Sequence, residues 1–544
     1  MYREFIKIFP KLFMKFPEFL HFFSDTFFVT YFCENREVPM FQSVHSCFLQ
    51  GLHGAPLEVE CSLAPGLPYF NILGLSPTAA RGCRERIRSA LRSLNLSLPA
   101  QRITINLRPA PVSGSGVFLD LPIALGLLAC QTLIPASSLA SSMVAGELSL
   151  DGRLQPLAGA LSFAQCAASQ DYSAFLLPLP SAGQSSLIAS FQSIGVASLA
   201  EAIAYCRGQA LPAHSASSLR DAPPPPVEDL SSILGQETAK RVLLIAAAGF
   251  HNVLLIGSPG VGKTMLARAL PGLFPPLNAE ESLELTQIYS LSREQPFTSF
   301  PVLRRPFRCP HHTIPPASLL GGGSPPRPGE ISLAHHGVLF LDELSEYSRD
   351  NLESLRIPLE EHHIVLQRLH SSAVFPADFL LAAGMNPCPC GFFPDRSRCR
   401  CSEPQIQRHR QKISGPLLDR IDLIYTMPLP SGDEFFSPSS APLSTAEARE
   451  KIQPALERQA HRFVNSPTAC NARMTSEEIQ RYCRLASKEQ AFLQSAFSRF
   501  SISPRSHHKI LTVSRTLADL DQSDCIRTEH LAEALQYRGL LLFP

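Results

Sequence analysis

Two short strings carry side chains suited to one kind of chemistry. The first reads Gly257-Ser258-Pro259-Gly260-Val261-Gly262-Lys263-Thr264, a complete G-x-x-x-x-G-K-[ST] phosphate loop. Its glycines let backbone N–H groups converge on phosphate oxygens at a helix N-terminus. Lys263 would reach the β- and γ-phosphates of ATP, and the Thr264 hydroxyl would bind Mg2+. The second string, Val338-Leu339-Phe340-Leu341-Asp342-Glu343, ends an apolar run in two carboxylates. Asp342 would support the Mg2+, and Glu343 would polarise the attacking water. Together the strings imply a nucleoside triphosphatase.

Such a site needs strands and a helix around it. Val253-Leu254-Leu255-Ile256 reads as a buried strand leading into the loop, and Met265 to Leu270 as the helix leaving it. Val338 to Leu341 reads as a second buried strand. A third apolar run, Phe379 to Met385, ends at Asn386. A neutral amide there can orient the hydrolytic water; the alternative is a turn-forming Asn before Pro387.

Other residue clusters admit more than one chemistry. Cys388-Pro389-Cys390 and Cys399-Arg400-Cys401 are two C-x-C pairs, and four thiolates could close a tetrahedral Zn2+ site. Reduced surface thiols or a redox-sensitive loop are the alternatives. Adjacent histidines occur at His311-His312 and His335-His336, without a four-ligand set. They read as loop residues coupled to nucleotide or DNA.

The bulk numbers bound the rest. A chain of 544 residues allows two to four domains, and 45% apolar residues suffice for ordinary cores. A net charge of +1 makes no global case for nucleic acid, so any DNA contact must come from local basic surfaces. Fifteen scattered cysteines beside an ATP motif fit a reducing cytoplasm better than a disulfide scaffold. Residues 1–39 are rich in Phe at roughly helical spacing. Lys7, Lys11, Lys15, Glu18 and Asp25 interrupt them, so no clean membrane span exists. We read this segment as a non-native or disordered extension, with translation starting at Met40 and no membrane partner.

Residues 40–210 mix short apolar runs with Gly/Pro turns. Leu57–Cys61, Ile103–Leu107 and Phe175–Leu177 are expected strands, and Gly82–Leu94 and Leu121–Ala129 expected helices, in an α/β domain. Residues 211–229 are a Pro/Ser-rich linker, stiffened by Pro223 to Pro226. Residues 230–430 hold the ATPase motifs, and 431–544 are mostly helical.

The phosphate loop, the string RRPFRCPHHT (304–313), RPGEISLAHHGVLFLDEL (327–344), NPCPCG (386–391), GPLLDRIDL (415–423) and TLADL (516–520) carry a resemblance. From about Met40 to the C-terminus, the chain resembles the ComM/YifB group of magnesium-chelatase-like AAA+ ATPases. The resemblance implies an α/β fold in three parts: a Lon-protease-like α/β domain, an AAA+ P-loop core and a C-terminal helical lid. It implies a homo-oligomeric ring, a hexamer, with ATP sites between subunits. It makes Asn386 the sensor-1 residue, Arg420 an arginine finger given to a neighbouring subunit, and Arg505 the sensor-2 residue of the lid. For Arg420 a local pair with Asp419 or Asp422 is the alternative, and Arg515 competes with Arg505.

The Lon fold, when active, uses a Ser–Lys dyad whose lysine must lose its proton. Between Lys15 and Lys240 this chain has no lysine, and arginine does not deprotonate in proteins. The domain is therefore expected to be non-peptidolytic. Arg81, Arg84, Arg88 and Arg92 recur at helical spacing there, as a basic stripe or a plain solvated face. The resemblance implies a DNA helicase that drives branch migration during transformation and recombination, acting on single-stranded or branched DNA. Arg304, Arg305, Arg308, Arg396, Arg398 and Arg400 are the expected phosphate contacts; pairing with acidic neighbours at subunit contacts is the alternative. A metal-chelatase motor subunit or a protein-remodelling ATPase is the competing function.

Overall fold

The structure is a computed structural model that describes residues 41–110, 116–188, 190–211, 213–214, 228–292, 301–323, 325–368, 371–429, 443–466, 468–500 and 503–539. The Phe-rich segment 1–39 and the expected start at Met40 lie outside the described residues. So do most of the Pro/Ser-rich linker and residues 111–115 of the lysine-free segment.

The N-terminal part is built on one mixed sheet. β1 (Phe41–Gln50) and β2 (His53–Ala64) form a hairpin in unbroken register from Phe41↔Ser62 to Gln50↔His53. Its other strands are β3 (Tyr69–Leu73), β4 (Arg102–Arg108), β5 (Ser142–Val144), β8 (Ala174–Pro178), β9 (Gln192–Val196) and β10 (Ala213–His214), in the order β10-β9-β8-β5-β1-β2-β4-β3. A small separate ribbon joins β6 (Glu147–Leu148) to β7 (Leu154–Gln155). The longer helices of this part are α1 (Pro77–Ser93), α2 (Asp120–Cys130), α3 (Ala160–Ser169) and α4 (Leu199–Cys206). Helix α1 starts before the expected Gly82. Ser76 caps it by accepting the Ala79 N–H at 3.3 Å, and Pro77 is harmless in a first turn. Helix α2 is buried on every side, in keeping with its apolar run from Leu121 to Cys130.

The second part is a five-stranded, wholly parallel sheet. Its strands are β11 (Val253–Ile256), β12 (Phe307–Arg308), β15 (Val338–Leu341), β18 (Leu380–Met385) and β19 (Leu423–Thr426). Their order is β12-β15-β18-β11-β19. β11 therefore lies between β18 and β19, so chain order reverses beside it. In open α/β sheets such switch points open a crevice at the carboxyl ends of the strands. This part also carries helices α5 (Glu237–Gly249), α6 (Lys263–Ala269), α7 (Ala279–Ser290) and α8 (Glu403–Arg410). Strands β13 (Gly321–Gly322) and β14 (Arg327–Pro328) pair with each other, as do β16 (His363–Arg368) and β17 (Ser371–Pro376). Leu52 of the N-terminal part packs in one cluster with Leu285, Ile288, Tyr289, Leu333 and Phe375. Helix α7 and the β16–β17 hairpin thus seat the N-terminal part on the parallel-sheet part.

Five helices follow: α9 (Thr445–Arg462), α10 (Ser476–Tyr482), α11 (Ser487–Phe500), α12 (Pro504–Leu520) and α13 (Thr528–Gln536). Thr475 and Glu478 form a capping box at the start of α10. This helical part packs against α5. Gln459 Nε2 donates to the Ala248 carbonyl at 2.7 Å, and His251 Nε2 lies 2.8 Å from Thr516 Oγ1. Arg241 forks onto Glu533 at 2.5 and 2.8 Å. Among the described residues, no helix is long and apolar enough to cross a membrane.

Candidate active site

Parallel strands bring three motifs to one edge. The loop from Gly257 leaves β11, Asp342 and Glu343 leave β15, and Asn386 leaves β18. Gly260 and Gly262 take left-handed backbones (φ 78° and 98°), and a Cβ at either would meet no atom within 4 Å. That is an open cradle rather than a packed turn. Lys263 Nζ donates to the carbonyls of Gly257 (2.7 Å) and Ser258 (3.1 Å) and to Asn386 Oδ1 (3.2 Å). Burial pulls its ammonium below the ordinary lysine range, against the pull of Asp342 and Glu343. A buried ammonium held by neutral oxygens suits a polyanion such as the phosphates of ATP.

Thr264 Oγ1 donates to Asp342 Oδ2 at 2.7 Å. One hydroxyl and one carboxylate oxygen side by side are the hard oxygen donors that Mg2+ takes. Glu343 follows with a left-handed backbone (φ 52°), and its N–H donates to Asp342 Oδ1 at 2.9 Å. Strained non-glycine residues of this kind cluster at functional sites. The Glu343 carboxylate lies 3.6 Å from His312 Nδ1, which brings one twin histidine to the carboxylate expected to polarise water.

Three contributors were not legible beforehand. Gly384 in β18 leaves room for the site: a Cβ there would come within 2.9 Å of Asp342 Oδ1. His409 Nε2 lies 3.0 Å from the Asn386 carbonyl oxygen, and burial holds its ring below the ordinary histidine range, so the neutral ring donates. Asn252, just before β11, stitches the far edge. Its N–H donates to Asp422 Oδ2 (2.8 Å), its Nδ2 to the Arg420 carbonyl (3.0 Å), and its Oδ1 accepts the Leu381 N–H (2.9 Å). Only the strand order could have revealed these contacts.

Arg420 and Arg505 lie at that far edge. Arg420 and Asp422 precede β19, whose strand axis runs parallel to β11, so about 15 Å of sheet separates them from their own phosphate loop. The Arg420 guanidinium meets Glu360 Oε1 at 2.7 Å, and Arg505 reaches the same carboxylate at 3.2 Å. Arg420 is buried, with further bonds to the carbonyls of Arg356 (3.1 Å) and Pro416 (2.6 Å), whereas Arg505 is exposed. The salt bridge of Arg420 thus runs to Glu360, not to Asp419 or Asp422. Arg515 is buried inside the helical part, on the Ser523 and Asp524 carbonyls and Asp519. Burial works against the charge of Asp422, but Lys509 at 2.6 Å prevails and holds its carboxyl below the usual range.

The expected phosphate contacts divide. Arg305 is bound to Glu281 (3.1 Å), and Arg308 forks onto Glu330 at 2.6 Å. Both meet carboxylates of this same chain. Arg304 is half-buried. Arg396, Arg398 and Arg400 are exposed; Arg396 pairs with Glu403 at 2.9 Å, and Arg398 lies 4.1 Å over the Phe392 ring. On α1, Arg84 and Arg88 both approach Glu85, so that stripe is a mixed face, with Arg81 and Arg92 exposed.

The four cysteines do converge. Cys388 Sγ lies 3.3 Å from Cys390 Sγ and 3.7 Å from Cys399 Sγ, and all four sulfurs lie within 4.8 Å of one another. The Phe392 N–H holds the Cys390 thiol down to about 6, while burial pushes Cys399 up to about 11. A second grouping, Glu284 with His335 and His336, has a different character. The Asp378 N–H donates to His335 Nδ1 at 2.9 Å, so the ring proton sits on Nε2, facing Glu284 at 3.2 Å. That tautomer offers Glu284 a proton and no lone pair for a metal.

Comparison with known proteins agrees with this geometry. Residues 229–434 match the family model "Magnesium chelatase, subunit ChlI", residues 59–181 match "Subunit ChlI of Mg-chelatase", and 442–538 match "Magnesium chelatase, subunit ChlI C-terminal". The chain is 39% identical over 498 residues to the uncharacterized protein YifB of Salmonella typhimurium, covering 91% of this chain and 97% of the relative. It is 38% identical over 503 residues to the competence protein ComM of Haemophilus influenzae, covering 92% and 97%. The magnesium-chelatase 67 kDa subunit of Heliobacterium mobile is 27% identical over 186 residues, only 29% and 28% of the two chains. With an AAA+-like core whose phosphate loop, paired carboxylates and strand-end amide share one sheet edge, the chain belongs to the ComM/YifB family of magnesium-chelatase-like proteins.

Proposed function

We propose that the protein is an ATP-hydrolysing ring motor that acts on DNA, as a helicase or branch-migration factor in natural transformation and recombination. One observation carries the ring. Arg420 and Arg505 share Glu360 at the sheet edge opposite their own phosphate loop. Neither reaches its own Lys263 from there, so each serves a nucleotide bound by the next subunit, Arg420 as the finger and Arg505 as sensor 2. A closed homo-oligomer, a hexamer, completes every site. The Haemophilus relative's name, a competence protein, supports DNA as the substrate. The exposed Arg396, Arg398 and Arg400 supply cationic side chains without sequence readout.

In this reading, Gly257 to Thr264 bind the phosphates and Lys263 neutralises them. Asn386 orients the attacking water, and Glu343 accepts its proton. Mg2+ held by Thr264 and Asp342 would supply charge neutralisation at the phosphate oxygens. Residues 40–210 form the Lon-like domain, non-peptidolytic because Lys240 lies on α5, outside it. Residues 211–229 are its linker, 230–430 the ATPase core and 431–544 the lid. The four clustered cysteines hold one Zn2+, and the protein works in the cytoplasm.

The match of residues 229–434 to a chelatase subunit favours a second reading, a metal-chelatase motor. ATP turnover of the full-length protein separates the two, with single-stranded DNA, branched DNA, or a porphyrin with its chelatase partner added in turn; unfolded polypeptide tests a protein remodeller. DNA stimulation that weakens steeply with salt supports the proposal. Stimulation by the porphyrin system or by polypeptide alone refutes it.

A further inference from the structure

The four-cysteine loop lies against the phosphate loop and the sensor amide. Asn386 follows β18, and Cys388 and Cys390 come two and four residues later. Cys399 and Cys401 precede α8, which opens at Ser402 with a capping box. Helix α8 then carries His409 back to the Asn386 carbonyl oxygen at 3.0 Å. The chain thus leaves Asn386, passes through four thiols and returns to Asn386. Across the loop, Gly391 has a left-handed backbone (φ 85°), and a Cβ there would come within 2.6 Å of Pro259 Cδ in the phosphate loop. The cysteine loop therefore touches both components that must meet the γ-phosphate.

Surface hydrogen bonds and arginine–aromatic contacts trim this loop, but its apolar core is small. Its buried apolar cluster consists of Cys388, Cys399 and Ile406, flanked by partly buried Cys390, Phe392, Phe393 and Cys401. So small a core is where structural metals are usually needed. The sulfurs already have the spacing for one. Zn–S bonds of about 2.3 Å in a tetrahedron put sulfurs roughly 3.8 Å apart. Three edges here measure 3.3, 3.7 and 3.6 Å.

The geometry points to a structural Zn2+ at Cys388, Cys390, Cys399 and Cys401 that positions Asn386 and the phosphate loop, and so sets the rate of ATP hydrolysis. This rests on reading the four thiols as a zinc site. Asn386 is the residue that meets water; the cysteines, Gly391 and His409 act through it. Loss of the metal loosens Asn386 without removing Lys263 or the glycine cradle. Turnover then falls while ATP is still bound, and ångström-scale misplacement costs up to about 10²-fold in rate.

Metal analysis of the full-length protein, purified without chelator, is paired with ATP kinetics of two variants. About one zinc per chain is expected, lost in the Cys388→Ser/Cys390→Ser double variant. Gly391→Ala keeps its zinc, but its kcat falls about tenfold or more with KM for ATP within about twofold. It also guards against a double variant that fails to fold. Zinc-free wild-type protein with four titratable thiols overturns the metal reading. Zinc present, with normal kcat in Gly391→Ala and in zinc-stripped protein, overturns the coupling alone.

Discussion

Each of the two sheets buries a charge beside a helix, and the two charges are treated differently. In the N-terminal sheet, Asp120 is wholly buried on α2. Arg86 grips both its oxygens at 2.5 and 3.0 Å, and the Leu148 N–H adds a third bond at 3.2 Å. In the ATPase sheet, Lys263 is buried with only carbonyl and amide oxygens bound to its ammonium. The first charge has its counter-ion in the chain and is architecture. The second has none in direct contact, and its anion must come from outside. A buried charge marks a ligand site when the fold leaves its counter-charge to the ligand.

The sharpest break of this contrast is a pair of truncations. Lys263→Ala is expected to lower ATP turnover by about 10³-fold or more, with the fold intact by circular dichroism. Asp120→Ala strands Arg86 and is expected to cost about 3–5 kcal/mol in denaturant unfolding, with turnover per folded molecule retained. If Asp120→Ala stopped turnover without loss of stability, the N-terminal pair would be functional and the contrast would fail. Next comes Glu343→Gln, which keeps the cradle and removes the base. ATP should still bind in filter assays, while turnover drops by roughly 10²–10⁴. Equal loss of binding would move Glu343 out of its catalytic role.

A third prediction concerns the opposite sheet edge. Inactive Lys263→Ala subunits mixed with inactive Arg420→Ala subunits should regain part of the wild-type rate, because mixed rings contain interfaces with both parts intact. No recovery, with mixing verified by native mass spectrometry, would make Arg420 a local partner of Glu360. The smallest expected effect is at His312, 3.6 Å from the Glu343 carboxylate. His312→Ala should change kcat by about tenfold or less, below the loss from removing a general base. An effect as large as that of Glu343→Gln would place His312 among the catalytic groups.

The residues that converge at the candidate site were legible because their motifs are local. A loop of eight residues, a strand ending in Asp342-Glu343 and a strand ending in Asn386 each announce themselves in one short window. The strand at Val253–Ile256 needed only four consecutive apolar residues between polar flanks. What remained hidden depends on distant partners. Which carboxylates Arg305 and Arg308 meet was not legible, because Glu281 and Glu330 lie more than twenty residues away. Arg420 and Arg505 meet at Glu360 only because β19 runs parallel to β11 and α12 starts at the far edge. Helix α1 began earlier than its apolar pattern because Ser76 and Pro77 set its first turn.

The central claim is that MgATP supplies the anion that buried Lys263 lacks. Thermal unfolding of the wild type and of Lys263→Ala, each with and without saturating MgATP, tests it directly. Ligand at about 100 times its Kd stabilises a folded protein by roughly 2.7 kcal/mol. The account predicts a clear rise in Tm for the wild type and none for Lys263→Ala. An equal rise in both proteins, or no rise in either, would contradict it.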